Sequence, residues 1–206
     1  MKSFSTFLIE ENKQTIIHKL GWQDADNWWG TTMNYKKKIS IANEHGKKIG
    51  DGSARTVFEI DYTKHTVVMK IAKNEKGLRQ NLAEVNLYKK YRKKPPYMAP
   101  MIEYDDNREV DTSWIVIHKA TRFDPNLFWR EFGITFEDFQ KESSRIINKQ
   151  ERKHPDNKAL NKFLKFIEKN KIMLGELRRK DEWGAYNGKS VILDAGINKD
   201  NYEIAF

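Results

Sequence analysis

An α+β chain of two lobes is what the sequence predicts: a mostly antiparallel sheet first, then a reduced helical lobe. Three observations carry this. From residue 40 to 72 the apolar residues recur with a period of two. Beyond residue 121 they recur at helical intervals. A last apolar run, SVILDAGIN at 190–198, returns to a strand. Strands followed by helices fit two packed layers with a boundary near residues 119 to 123, and hence lobes of 1–120 and 121–206.

The elements follow in order. MKSFSTFLIEE, 1–11, starts an amphipathic helix with Phe4, Phe7 and Leu8 on one side. Trp22, Trp28 and Trp29 are expected to pack under the first lobe, with base stacking as the alternative. ISIA (39–42), TVFEI (56–60) and TVVMKIA (66–72) read as strands, divided by a glycine stretch and by a turn at Asp61 to His65. GLRQNLAEVNLYKKYR, 77–92, reads as a helix with Leu78, Leu82, Val85 and either Leu87 or Tyr88 inward; Pro95, Pro96 and Pro100 end it. MIEYDDN and SWIVIHKA (113–120) are two more strands. Phe128, Phe132, Phe136 and Phe139 mark helices broken at Gly133. Residues 157–174 carry a stripe of Leu160, Phe163, Leu164, Ile167 and Leu174.

Composition narrows the chemistry. The 206 residues are 38% apolar and 12% aromatic, enough to bury a core. No run approaches the roughly 18 apolar residues that span a bilayer, so no membrane partner is expected. The N-terminus has no apolar stretch of signal-peptide length. The absence of cysteine excludes disulfides and thiolate metal sites. The net charge of +9 is uneven. KKYRKK, 89–94, is one basic knot, and residues 147–180 hold further lysines and arginines in excess of acids. Such faces attract nucleotides, nucleic acid or an acidic protein, or are a solvated surface.

One set of residues stands out by order. GDGSARTVFEI, 50–60, places Gly50 and Gly52 one residue apart, with Val57 on the returning strand. Taken alone this is a hairpin turn. Lys70 follows inside the apolar VVMKIA, where an ammonium must either reach solvent or pair with an anion. Glu84 comes next, among the apolar positions of the helix. Two such charges are costly alone and tolerable as a pair.

Loop, Lys and Glu in this order resemble the amino-terminal lobe of the eukaryotic-type protein kinase fold and its aminoglycoside-phosphotransferase-like relatives. The resemblance implies that Gly50, Gly52 and Val57 cover ATP, that Lys70 contacts its phosphates, and that Glu84 holds Lys70. SWIVIHKA resembles the strand and hinge that meet adenine near Ile117 to Lys119. Asp194, in ILDAG, resembles the Asp-x-Gly carboxylate that holds Mg2+. Within MLGELRRKDEWG, 173–184, Glu176 stands where the family has its catalytic Asp, and Asp181 or Glu182 where it has a metal-binding Asn. Only ten residues follow Gly196, too few for the activation segment and helices that hold a peptide substrate.

These departures leave three expectations. The first is a phosphotransferase using ATP and Mg2+ on a host protein or small substrate. The second is a pseudokinase that binds a host protein, and the third is a non-specific nucleic-acid-binding protein. A small kinase-like chain with EWG before its last strand also resembles proteins of T4-like tailed bacteriophages. MKSFSTFLIE resembles their head-targeting peptides, cleaved after an apolar-x-Glu such as Leu8-Ile9-Glu10. That resemblance implies packaging in the virion head and action in the host cytoplasm.

Overall fold

The computed structural model describes residues 35–62, 65–105 and 113–196. The expected N-terminal helix, the three early tryptophans and the Leu8-Ile9-Glu10 motif lie outside them. The described chain is a mixed α+β protein with five helices and mostly antiparallel sheet. Its contacts divide it into two units.

The first unit comprises residues 1–82 and 101–119. It opens with helix α1 (Tyr35–His45), then strands β1 (Gly46–Asp51), β2 (Arg55–Tyr62) and β3 (His65–Ala72). Helix α2 (Glu75–Lys90) begins here, and β4 (Met101–Tyr104) and β5 (Trp114–His118) complete the sheet, in the order β1-β2-β3-β5-β4. Every neighbouring pair is antiparallel.

One expected strand is a helix. ISIA lies within α1. Read by twos, Ile39 and Ile41 alternate with small residues. Read by the helical period, Tyr35, Ile39 and Ala42 fall at i, i+4 and i+7 and pack on the sheet. The longer period wins because it buries three residues against Phe58, Ile60, Val67, Met69, Ile71, Trp114 and Val116. The Tyr35 hydroxyl also meets Thr56 Oγ1 at 2.8 Å.

Alternation then fixes what the other face of the sheet carries. Phe58 and Ile60, Met69 and Ile71, and Trp114 and Val116 face the α1 core. Arg55, Val57 and Glu59, Val68 and Lys70, and Ile115 and Ile117 therefore face the opposite way. The first turns of α2 cover part of that face. A Cβ on Gly77 would press into the Ala54 carbonyl and come within 3.1 Å of Ala72 Cα, so only glycine lets the helix come this close.

The second unit comprises residues 83–100 and 120–206, including the last turns of α2. Both Leu87 and Tyr88 are buried there, and the Tyr88 hydroxyl donates to Ala99 O at 2.6 Å. Strand β6 (Thr121–Arg122) leads to α3 (Pro125–Phe132), α4 (Phe136–Ile147) and α5 (Lys158–Lys169). Each helix starts on a side chain that accepts from its first turn: Asp124, Thr135 and Asn157. Gly133, at φ 69°, closes α3. Helix α5 ends at Lys169, short of the expected 174, and Phe166 joins its buried face.

Two 3₁₀ turns, Glu176–Arg178 and Lys180–Glu182, precede the hairpin of β7 (Trp183–Tyr186) and β8 (Lys189–Ile192), and β6 pairs with β7. The phenylalanines read from the sequence converge on Trp183, which is 1% exposed. Ring centroids lie 5.0 Å away for Phe128, 5.6 Å for Phe163 and 5.8 Å for Phe132 and Phe139. Edge-to-face packing of this kind adds about 0.5–1.5 kcal/mol per pair beyond burial.

Candidate functional site

In the first unit, strand register brings part of the predicted set together. Gly50 pairs with Val57, Val57 with Lys70, and Lys70 with Ile115. These four residues form one row across β1, β2, β3 and β5. Two positions along, Glu59, Val68 and Ile117 form the next row. Lys70 is 5% exposed, so its strand position is buried, not a solvent-facing edge.

The glycine stretch is a β-hairpin. Gly52 N donates to Arg55 O at 3.0 Å. Its tip is tied to the start of α2: Lys73 N donates to Ala54 O at 2.8 Å, and Asn74 Nδ2 to Ser53 O at 2.9 Å. Asp51, between the glycines, ion-pairs with Lys73, and with Lys48 at 3.1 Å, and accepts from Thr56 at 3.0 Å. These partners, Lys73 first, hold its carboxyl well below the usual range. Neither Gly50 nor Gly52 sits in the left-handed region, and a Cβ on either would meet only ordinary contacts, at 3.4 Å and 3.7 Å. The hairpin's own geometry therefore does not call for glycine at these two positions.

Three polar residues here had no sequence signal. The Arg55 guanidinium donates to Asn81 Oδ1 at 3.2 Å, and Asn81 Nδ2 to Ser113 Oγ at 3.0 Å, all three buried. Their sequence separations exceed twenty residues, and only the paired strands and α2 bring them together. Glu84 lies on α2 one turn beyond Asn81 and is fully buried. Of the hinge residues, Ile117 sits inside the ladder between β3 and β4. Lys119 N donates to Thr66 O at 3.1 Å, and its ammonium pairs with Glu59 at 2.6 Å.

In the second unit, the turns at 176–182 gather the predicted carboxylates around one cation. Arg179 donates to both Asp181 oxygens, at 3.2 Å and 2.7 Å. It lies 3.4 Å from Glu182 and 3.5 Å from Glu176. The Arg179 bonds hold Asp181 below the usual carboxylate range. The turn is anchored from beneath by a bond from Trp183 Nε1 to Leu177 O at 2.7 Å, and by Gln140 Nε2 to Arg178 O at 2.7 Å.

The β7–β8 hairpin adds Asp194. Trp183 pairs with Ile192, and Leu193 N donates to Glu182 O at 2.8 Å, so Glu182 and Asp194 flank the open end of one hairpin. Close packing keeps the strands in place: a Cβ on Gly184 would lie 2.7 Å from Thr121 O. Asp194 Oδ1 accepts from Gly196 N at 2.9 Å, which closes the Asp-x-Gly turn. Burial, and then the nearby Asp194 charge, push Glu182 up to about 7.

Among the described residues no three His, Asp or Glu side chains surround a common point as a complete cation cage. Mg2+ held with a nucleotide needs one or two carboxylates, the phosphates supplying the rest. Glu182 and Asp194 fit that smaller requirement, because a cation would offset the burial and the Asp194 charge that disfavour ionisation of Glu182.

The described helices include none long and apolar enough to cross a membrane. No family model matches the chain, and no curated protein matches it. Among solved structures it is similar to one titled "Crystal structure of Cex1p", at 17% identity and a TM-score of 0.40. That similarity covers 75% of this chain and 26% of the other, so the chain spans about a quarter of that protein's length.

Proposed function

We propose that the chain is a kinase-like nucleotide-binding protein that takes ATP with Mg2+. The observation that carries this is the row Gly50–Val57–Lys70–Ile115, which puts a buried ammonium beside a hairpin whose glycines its own fold does not demand. Glycine at such positions lets a ligand approach the backbone closely. Roles are assigned within each unit. In the first unit Gly50, Gly52 and Val57 cover the nucleotide and Lys70 contacts its phosphates. Asp194 and Glu182 hold Mg2+, which neutralises developing phosphate charge. Glu176 is the base and Asp181 its neighbour. The Lys119 N–H is already engaged, so the adenine edge would meet other groups of the 117–119 segment.

A pseudokinase that binds a host protein is the second reading. It is favoured by Glu176 standing where the family has Asp, and by Arg179 holding Asp181 and reaching Glu176. Asp181, held by the guanidinium, is a weaker base, since the cation stabilises its ionised form. Phage origin, release of residues 1–10 and action in the host cytoplasm complete the proposal.

Mg-ATP should raise the melting temperature of the full chain, and by less in Lys70→Met and Asp194→Ala. Identical melting with and without millimolar Mg-ATP would sink the nucleotide reading. Labelled ATP then separates the two forms. The enzyme transfers phosphate to an acceptor and loses the transfer in Glu176→Gln; the pseudokinase shows the thermal shift alone.

A further inference from the structure

The second unit contains a cleft of about 830 Å3 that the nucleotide reading does not use. It runs between the end of α4, the face of α5 and the segment 171–175. Its floor is aliphatic, formed by Leu164, Ile167, Met173 and Leu174. Its rim carries Lys149, Lys165 and Lys171 against a single acid, Glu168.

One wall is built rigidly. Arg152 donates to buried Glu142 at 2.9 Å, to Asn161 at 2.7 Å and to His154 O at 3.1 Å. Glu142 also accepts from Lys153 N and His154 N, at 2.9 Å and 3.3 Å. The loop after α4 is thereby fixed to α5, and the cleft is preformed. Ile147 nevertheless stands 48% exposed at its edge, beside Gly175.

We infer that this cleft docks an amphipathic segment of a partner protein, one that presents aliphatic side chains on one face and Asp or Glu on its flanks. The volume lies in the upper part of the range for ligand pockets, yet the cleft is open at half-exposed Ile147, whereas such pockets bury most of their ligand. A helix or extended segment laid along the cleft covers Ile147 and leaves its own polar face outward. The lysine rim selects acidic flanks and raises the association rate. A second copy of this chain brings the same basic rim and is repelled. Nucleic acid finds no aromatic platform in the cleft and gains nothing from an aliphatic floor.

The test is selection of a random 16-residue peptide display library on the full chain, with depletion on Ile147→Asp, followed by anisotropy with the enriched peptides. Ile147 is half in solvent, so the substitution leaves the fold intact, which circular dichroism checks. Enriched peptides should carry aliphatic residues three or four apart with acidic flanks. They should bind Ile147→Asp about tenfold or more weakly, and Lys165→Glu several-fold more weakly. Lys70→Met should bind them as the wild type does, so failure of the nucleotide reading leaves this result unaffected. No enrichment, enrichment without acids, or equal binding of scrambled peptides would overturn the inference. So would saturable binding of laurate in place of peptide, or self-association that Ile147→Asp abolishes.

Discussion

Replacing Glu182 by Gln tests the electrostatics of the candidate site without any ligand. The amide keeps the shape of the carboxyl and removes its charge. The carboxyl goes from 4.5 to about 7 in the folded chain, because burial and then Asp194 disfavour its ionised form. A shift of about 2.5 units corresponds to a ceiling of roughly 3 kcal/mol. Solvent reaches part of the side chain, which reduces this to about 1–2 kcal/mol. Because the folded value is raised, the contribution of Glu182 to stability is full below pH 4.5. It falls as the pH rises through 7, where the folded chain must give up the proton. The difference in urea stability between Glu182→Gln and wild type should therefore be near zero at pH 4.5 and reach about 1–2 kcal/mol in favour of the variant by pH 8. Tryptophan fluorescence across that range measures it. A flat difference, or a variant less stable at pH 8, would refute the crowding of Glu182 against Asp194.

Two further substitutions probe the frames that hold the sites. Glu142→Ala leaves the Arg152 guanidinium and two backbone N–H groups without their acceptor and should cost about 3–5 kcal/mol in urea unfolding near neutral pH. Burial opposes the charge on Glu142, but the bonds from Lys153 N, Arg152 and His154 N outweigh it and keep the carboxyl below its ordinary value. Its stabilisation is therefore present above pH 4.5, and the deficit of the variant should shrink as the pH falls below that. Gly77→Ala should cost about 1–2 kcal/mol of stability and so lower the urea midpoint, because overpacking against the Ala54 carbonyl exceeds the helix-propensity gain of nearly 1 kcal/mol. An unchanged or raised midpoint would show that α2 can move off the hairpin.

Legibility followed the range of the interactions. Helices α3 and α4 were readable because their caps and phenylalanine spacing are local. Strands β2, β3 and β5 were readable because one face of each is aliphatic. ISIA was misread because four residues fit either period, and only Tyr35, outside the window, decides for the helix. That Lys70 lies within an apolar strand could be read, but whether its ammonium reached solvent or paired could not, and the structure places the residue 5% exposed. The Arg55–Asn81–Ser113 network could not, because each of those residues is ordinary in its own segment and pairing across more than twenty residues makes it a network.

The same distinction bears on how the carboxylates of the second unit should be weighed. Glu176, Asp181 and Glu182 lie within seven residues, and a charged surface turn would explain that spacing equally well. What separates the two readings is the support beneath the turn. Leu177 is buried, its carbonyl accepts from Trp183, and Trp183 is the hub of the aromatic core. A turn that served only as solvated surface would gain nothing from such anchoring. Here it fixes Glu182 beside Asp194 at the cost of a displaced proton equilibrium. A carboxylate shifted by burial and a charged neighbour in this way marks a candidate functional site. A cation beside Glu182 and Asp194 would offset the burial and the Asp194 charge, which Arg179, 3.4 Å from Glu182, counters only in part.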